Sequence, residues 1–176
     1  MALILLRHTR PAVAEGLCYG RTDLALAENF GDDVAALARD LPSFRRILSS
    51  PLSRCLRLAQ ALSAVRAVPM AVDPRLTEMD FGAWEGRAWS ALPRPELDAW
   101  AADLLHARPH GGETVAELAA RTAAALDEAG RGPVPALVVT HAGVIKAAIA
   151  RNEGPAGWDA RLAFGEWRSF SVEAGE

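Results

Sequence analysis

The sequence predicts an α/β protein in which helices cover both faces of a mostly parallel sheet, so that the fold has three layers. Three continuous apolar runs indicate short buried strands at 2–6, 46–49 and 136–140, because strands buried on both faces carry apolar residues without alternation. Segments with apolar residues at helical spacing follow these runs. The 176 residues and their 51% hydrophobic content fit one domain, 1–176, with its own core.

Shorter patterns define the elements around the first two strands. Apolar residues from Leu26 to Leu41 recur at helical spacing and predict a helix between these strands. After the second strand, Ser50 and Pro51 are predicted as the N-cap and the first position of another helix, because Ser caps helices well and Pro suits the first turn. Residues 69–72 are predicted to form a further strand.

The second half of the chain continues the alternation of helices and strands. Two glycines precede a helix predicted over 113–129, and a helix over 143–150 follows the third strand. The tail, 161–172, has mixed alternation and predicts an edge strand. Residues 89–109 have the weakest pattern and are predicted to form a small cap beside the sheet.

Composition and charge exclude several classes of function. The net charge of −3 argues against a general nucleic-acid binder, which would carry a basic stripe. No apolar stretch reaches the roughly 18 residues that a membrane span needs, and the apolar N-terminal run lacks the basic region of a signal peptide. Cys18 and Cys55 have no close metal-ligand spacing and are expected to be buried thiols in a cytoplasmic protein. His106 and His110 are expected to face solvent.

Polar residues cluster where the predicted strands end. Arg7 and His8 end the first strand, His141 ends the third strand, and Arg54 lies in the first turn of the helix after the second strand. The carboxyl ends of parallel strands meet at one edge of a sheet, where α/β proteins bind ligands. Helix N-termini and arginine forks both favour phosphate oxygens. Together, the four side chains predict a phosphate site.

Each of these residues has an ordinary explanation when it is taken alone. A single histidine at a strand end is more often structural than nucleophilic, and a single arginine near a helix start is usually a solvated surface charge. The motif at 76–86 supplies three acids, Glu78, Asp80 and Glu85, and spacing alone does not choose among them. Glu113 is expected to complement the dipole in the first turn of its helix.

The order of these motifs resembles the histidine phosphatase superfamily, also called the phosphoglycerate mutase-like fold. The motifs are Arg-His at the first strand end, Ser-Ser-Pro-Leu-x-Arg at 49–54, Leu-x-Glu-x-x-Phe-Gly-x-Trp-Glu-Gly at 76–86, Gly-Gly-Glu-Thr at 111–114 and Thr-His-Ala-Gly at 140–143. Singly they have weak to moderate specificity, but together, across residues 2–150, they are specific. The resemblance implies a three-layer α/β/α sandwich.

The resemblance also implies a role for each clustered residue. His8 would be the nucleophile of a phosphatase, and Arg7, Arg54 and His141 would bind the phosphate, with His141 also counted as catalytic. Glu78 would donate a proton to the leaving group and then act as base on water. Such a mechanism passes through a phosphohistidine and needs neither a metal ion nor a cofactor.

The loop that follows the nucleophile is a weaker part of the predicted site. Thr9, which stands where much of the superfamily has Gly, and Gly20 are assigned to the phosphate-binding set. Four neighbouring residues could line the pocket as well: Arg10, Tyr19, Arg21 and Thr22. For all six residues an ordinary surface loop is an equal alternative.

Within the superfamily, the segments 7–11, 18–23 and 49–55 are most similar to the α-ribazole phosphatases, which remove the 5′-phosphate of α-ribazole phosphate in cobalamin biosynthesis. A small-molecule phosphate ester is therefore the expected partner, and a homodimer is a further expectation. A broad-specificity sugar or nucleotide phosphatase is the alternative. A phosphoglycerate mutase is less favoured, because Ala14 stands where its pattern has Asn. A non-catalytic phospholigand-binding module is the remaining alternative.

Overall fold

One five-stranded sheet forms the centre of the computed structural model, which describes residues 2–171. Its strands are β1 (Ala2–Arg7), β2 (Arg46–Ser49), β3 (Met70–Val72), β4 (Ala136–Thr140) and β5 (Trp167–Ser171). They lie in the order β3-β2-β4-β1-β5. The first four are parallel, and β5 runs antiparallel to β1. All five predicted strands are confirmed, although Val172 of the predicted tail strand lies outside the described residues.

Helices cover both faces of this sheet. Within residues 2–171 they are α1 (Phe30–Asp40), α2 (Ser53–Arg66), α3 (Arg94–Ala102), α4 (Val115–Arg131) and α5 (Ala142–Glu153). Alternate side chains of a strand point to opposite faces. Leu3 and Leu5 therefore pack with α4 and α5, while Ile4 and Leu6 pack with α1 and α2. The predicted three-layer sandwich is confirmed. None of the helices described is long and apolar enough to cross a membrane.

The helix after β2 begins later than the sequence pattern predicts. α2 begins at Ser53 with Leu52 as its N-cap residue, so the prediction of Ser50 and Pro51 as its cap and first position is wrong. A carboxylate from another segment replaces the missing cap. Asp23 accepts hydrogen bonds from the backbone N–H of Ser53 at 2.9 Å and from its hydroxyl at 2.6 Å.

The helix after the two glycines also begins later. α4 begins at Val115, because Thr114 and Glu117 form a capping box. The predicted start at Glu113 is therefore wrong, and Glu117 is the acid of the first turn. The carboxylate of Glu113 lies just before the helix and accepts a hydrogen bond from Arg121 at 2.6 Å.

The segment 89–109 contains a helix that its sequence pattern did not reveal. α3 packs through Trp100 against a small core of Cys18, Trp84 and Leu92. No residue of α3 itself is fully buried, so its sequence carries little of the apolar periodicity that indicates a helix. Its function as a cap stays a prediction.

His110 lies inside this aromatic region, so the prediction that it faces solvent is wrong. Its exposed fraction is 3%, and its ring centroid lies 4.9 Å from that of Trp84. The N–H of Gly112 donates to its Nδ1 at 3.0 Å. Burial lowers the pKa of His110, which allows a neutral ring to pack among aromatic side chains. His106 is exposed, as predicted.

Candidate active site

The register of the sheet brings the polar strand ends together. Arg7 is the register partner of Thr140 in the neighbouring strand, and the N–H of His8 donates to the Thr140 carbonyl at 2.9 Å. The ring centroids of His8 and His141 lie 5.2 Å apart. The N–H of Ser50, just after β2, donates to β4 at 3.0 Å. Three predicted motifs thus meet at one edge of the sheet.

His8 is a buried imidazole with a defined tautomer. Its Nδ1 lies 2.7 Å from the carbonyl oxygen of Thr9. A carbonyl only accepts, so Nδ1 carries the proton and Nε2 keeps a lone pair. Burial lowers the pKa of His8 to about 3, and the charges of Arg54 and Arg7 act in the same direction. His8 is therefore neutral at physiological pH. Thr9 is buried too, and its hydroxyl has no partner within residues 2–171.

His141 is fully buried beside two groups that sequence reasoning did not assign to the site. Its Nε2 lies 2.8 Å from the Ser50 hydroxyl and 3.4 Å from the Cys55 sulfur. Burial, followed by the neighbouring His8 and the arginines, lowers its pKa well below that of a free imidazole. Neither contact has a local sequence signal, since Ser50 lies in the turn after β2 and Cys55 lies in α2, both far along the chain from His141. Cys55 and Cys18 are buried free thiols, as predicted.

Arg54 is fully buried at the start of α2 and is oriented by backbone carbonyls. Its two Nη groups donate to Thr22 at 2.8 Å and to Gly20 at 2.6 Å. A Cβ at Gly20 would overlap the carbonyl oxygen of Met79, so this position needs glycine. The geometry shows Gly20 orienting Arg54 through its carbonyl, while its predicted contact with phosphate stays a prediction.

The Glu85 carboxylate holds the loop that provides those carbonyls. It accepts hydrogen bonds from the backbone N–H groups of Arg21, Thr22 and Phe81 at 2.9, 2.8 and 3.2 Å. Burial opposes ionisation of Glu85, but a hydrogen bond from the Thr22 hydroxyl and these backbone hydrogen bonds outweigh it and lower its pKa. Asp80, another candidate acid, accepts a hydrogen bond from the loop backbone at 2.8 Å and faces Arg21 at 3.9 Å. Both carboxylates therefore serve the structure of this loop.

Glu78 is the candidate acid whose carboxylate lies beside the helix turn that follows His141. Its Oε2 accepts a hydrogen bond from the N–H of Gly143 at 3.1 Å, in the first turn of α5 and two residues after His141. Its Oε1 accepts from the N–H of Met79 at 3.0 Å. A Cβ at Gly143 would overlap the Glu78 carboxylate. This close approach explains the glycine of the Thr-His-Ala-Gly motif.

Aromatic rings flank both arginines of the site. The guanidinium carbon of Arg7 lies 3.9 Å from the ring centroid of Phe164, and its Nη1 donates to the Leu162 carbonyl at 2.5 Å. Arg54 lies 5.3 Å from the ring of Tyr19. Such contacts favour a cation and restrict its orientation. Sequence reasoning missed Phe164, because it belongs to the irregular segment before β5, far along the chain from the nucleophile motif.

Comparison with protein-family models gives the class of this site. The Histidine phosphatase superfamily (branch 1) matches residues 3–168. The chain therefore belongs to the histidine phosphatase superfamily, as its motifs and the convergence of two histidines and two arginines predict.

Individual relatives are phosphatases with assigned substrates. The adenosylcobalamin/alpha-ribazole phosphatase of Escherichia coli K12 is 32% identical, and the match covers 98% of this chain and 90% of that protein. The glucosyl-3-phosphoglycerate phosphatase of Mycolicibacterium vanbaalenii is 32% identical over 84% of this chain and 72% of its own length. The crystal structure of the alpha-ribazole phosphatase from Shigella flexneri superposes with a TM-score of 0.84 at 30% identity, covering 98% of this chain and 91% of that one. The predicted fold and phosphatase class are confirmed.

Proposed function

We propose that this enzyme hydrolyses phosphate monoesters of small molecules, with His8 as the nucleophile and Glu78 as the proton donor. The state of His8 is the observation that supports this most directly. The ring is neutral, and its Nδ1 proton is bound to the Thr9 carbonyl. Burial lowers its pKa, and the positive charges of Arg54 and Arg7 lie near enough to lower it further. A neutral nucleophile among fixed positive charges suits attack on an anionic phosphate.

In the first step, Nε2 of His8 forms a bond to phosphorus while the bond from phosphorus to the ester oxygen breaks. Arg7, Arg54 and His141 stabilise the charge on the other phosphate oxygens. The departing alkoxide needs a proton, and the protonated Glu78 carboxyl group donates it.

In the second step, water attacks phosphorus and the bond from phosphorus to Nε2 of His8 breaks. The Glu78 carboxylate, ionised by the first step, accepts a proton from that water. Inorganic phosphate leaves, and both residues return to their starting protonation states. Glu78 thus recovers in the second step the one proton that it donates in the first.

The proposed substrate is α-ribazole 5′-phosphate, which places the enzyme in cobalamin biosynthesis. The support comes from the relatives of E. coli and S. flexneri, both of which match this chain over nearly its whole length. The glucosyl-3-phosphoglycerate phosphatase of M. vanbaalenii supports a second candidate, the phosphate of a glycosylated glycerate.

A substrate panel tests this proposal. The kcat/KM values for α-ribazole 5′-phosphate, glucosyl-3-phosphoglycerate, sugar phosphates and nucleotides are measured in buffer with EDTA. The expected result is turnover in EDTA with the highest kcat/KM for α-ribazole 5′-phosphate. Similar values across the panel would instead define a broad-specificity phosphatase. Loss of activity in EDTA or absence of turnover would contradict the mechanism, and stimulation by a bisphosphoglycerate primer would indicate a mutase.

A homodimeric assembly and a cytoplasmic location are further parts of the proposal. Two buried free thiols fit a reducing compartment. Sedimentation equilibrium of the purified protein tests the assembly, and fractionation of the native host tests the location.

A further inference from the structure

Glu113 and Arg121 form an ion pair that the reaction itself does not use. The Nε of Arg121 donates to one carboxylate oxygen at 2.6 Å, and Nη2 donates to the other at 2.9 Å. The Arg121 side chain is only 16% exposed and the Glu113 side chain only 10%. Removing both charges from water is costly, so a pair of this kind adds little stability by itself. Stability alone therefore does not explain why this ion pair is buried.

The remaining donors of Arg121 bind a single stretch of backbone. Nη1 donates to the carbonyls of Arg75 and Thr77, both at 2.6 Å, and Nη2 donates to the carbonyl of Glu78 at 3.1 Å. With the two bonds to Glu113, the guanidinium makes five hydrogen bonds, which matches its five N–H donors. The stretch that Arg121 binds ends at the proposed acid.

Further contacts bind the backbone just before and just after Glu78. The carboxylate of Glu113 accepts from the N–H of Asp80 at 3.4 Å, and the N–H of Glu113 donates to the Asp80 carbonyl at 2.9 Å. The hydroxyl of Thr140, at the end of β4, donates to the carbonyl of Leu76 at 2.8 Å. The backbone is thus bound on both sides of Glu78, at Leu76 before it and at Asp80 after it.

We propose that the pair of Glu113 and Arg121 positions Glu78 for proton transfer to the leaving group. This inference rests on the proposed function, because it takes Glu78 as the acid. Proton transfer requires hydrogen-bond reach, and a displacement of about 1 Å costs up to about 10²-fold in rate. The pair fixes the Glu78 backbone and so keeps its carboxyl group within that reach. Neither member belongs to the groups assigned to phosphate binding or proton transfer, so both are positioning residues.

Arg121→Lys is the first test, because it keeps the positive charge opposite Glu113 but has three donors in place of five. We expect kcat/KM for an alkyl phosphate to fall about tenfold more than kcat/KM for p-nitrophenyl phosphate. The reason is that p-nitrophenolate leaves with little help from an acid. Glu113→Gln, which keeps the shape of the side chain and removes its charge, is expected to change the same ratio in the same direction. Equal losses on both esters in variants with a wild-type circular dichroism spectrum would overturn the inference.

Arg151→Lys is the matched control. Arg151 lies in α5 and donates hydrogen bonds to Asp127 and Ala123 of α4. Like Arg121, it is an arginine that pairs with a carboxylate next to α4 or within it, but its side chain is 46% exposed. We expect this variant to keep the wild-type ratio of the two kcat/KM values. A general loosening of the packing around α4 would change the ratio in the control as well, and that result would also overturn the inference.

A double variant separates positioning from other effects. In a Glu78→Gln background the acid is absent, so adding Arg121→Lys is expected to leave the ratio where Glu78→Gln alone put it. A further change in the ratio would show that Arg121 acts elsewhere. If the wild type hydrolyses neither ester, the proposed function fails. If Glu78→Gln changes the ratio and both Arg121→Lys and Glu113→Gln leave it unchanged, only the inference about the pair fails.

Discussion

Two halves of the active site are held in place by different interactions. The strand-end half, which contains His8 and His141, is placed by backbone hydrogen bonds between β1 and β4 and by the turn into α5. The loop half, residues 76–85, is placed largely by side chains, with Arg121 holding its start and Glu85 holding its end. Backbone ladders do not depend on the identity of neighbouring side chains. The strand-end half should therefore tolerate nearby substitutions that disturb the loop half.

This difference matches the two chemical tasks of the site. Nucleophile and phosphate ligands act on every ester, whereas the acid is needed only when the leaving group is poor. Damage to the strand-end half should lower all activities together. Damage to Glu78 or to the contacts that hold it should depend on the leaving group. Damage to Glu85 should instead affect every ester, because Glu85 holds the loop that orients Arg54. The following predictions test that separation in order of decreasing effect.

His8→Ala is expected to have the largest effect. Removing the proposed nucleophile should lower kcat/KM by about 10⁴-fold or more on alkyl and aryl phosphates alike. The fold should remain, because the His8 position is held by its backbone N–H. Steady-state kinetics and acid-labile labelling of the phosphoenzyme measure the result. His106→Ala, on an exposed histidine, is the control and should behave as wild type. Substantial turnover by His8→Ala would remove His8 from the mechanism.

Glu78→Gln should have the second largest effect, and it should be selective. The loss for an alkyl phosphate is expected to be about 10²–10⁴-fold, because general acid catalysis is removed. For p-nitrophenyl phosphate the loss should be much smaller. If both esters lose activity equally, Glu78 is not the acid. Asp80→Asn is the comparison variant, and a selective loss there would transfer the acid role to Asp80.

Gly143→Ala tests the contact between the two halves. The new Cβ would overlap the end of the Glu78 side chain and would approach the Leu118 side chain to 3.2 Å. We therefore expect a loss of about tenfold on alkyl phosphates, because the Glu78 carboxyl group must move, with only a small change in Tm, because the overlapping atom ends a flexible side chain. Thermal unfolding and kinetics on the two esters measure both quantities. Unchanged kinetics would mean that Glu78 need not occupy this position.

The buried histidines should make stability depend on pH. The pKa of His8 is about 3 in the folded protein, against an ordinary value of 6.5. Between these values the unfolded chain binds a proton at this residue that the folded chain does not. The free energy of unfolding should therefore fall as the pH falls through this window, by about 1.4 kcal/mol per pH unit for one full proton. The lowered pKa of His141 acts with the same sign.

His8→Asn should make this dependence shallower, because it removes one of the groups that bind a proton on unfolding. Urea unfolding of the wild type and the variant at pH 5 and pH 6 gives the two slopes. Equal slopes would show that the ring of His8 is not held neutral by the folded structure.

Much of the fold and most of the proposed catalytic residues could be predicted before the structure. Buried strands are predictable because they are apolar runs in the sequence. Arg7, His8 and His141 lie at the ends of two such strands. Helix starts were harder, because the carboxylate that binds the first N–H of α2 belongs to Asp23, a residue from a distant segment. Position 110 was misjudged for a similar reason, since its burial depends on Trp84 and its neighbours from other parts of the chain.

Local patterns in the chain specify the order of strands and helices and put the polar residues at strand ends, because periodicity and capping involve neighbours within a few positions. Only the tertiary structure decides which of the three carboxylates lies beside the turn that follows His141 and which contacts hold it there. The Glu78 carboxylate accepts a hydrogen bond from the N–H of Gly143, and Arg121 donates to the Glu78 backbone carbonyl. Those contacts join segments distant in sequence, and their distances depend on how α4 and α5 pack against the sheet.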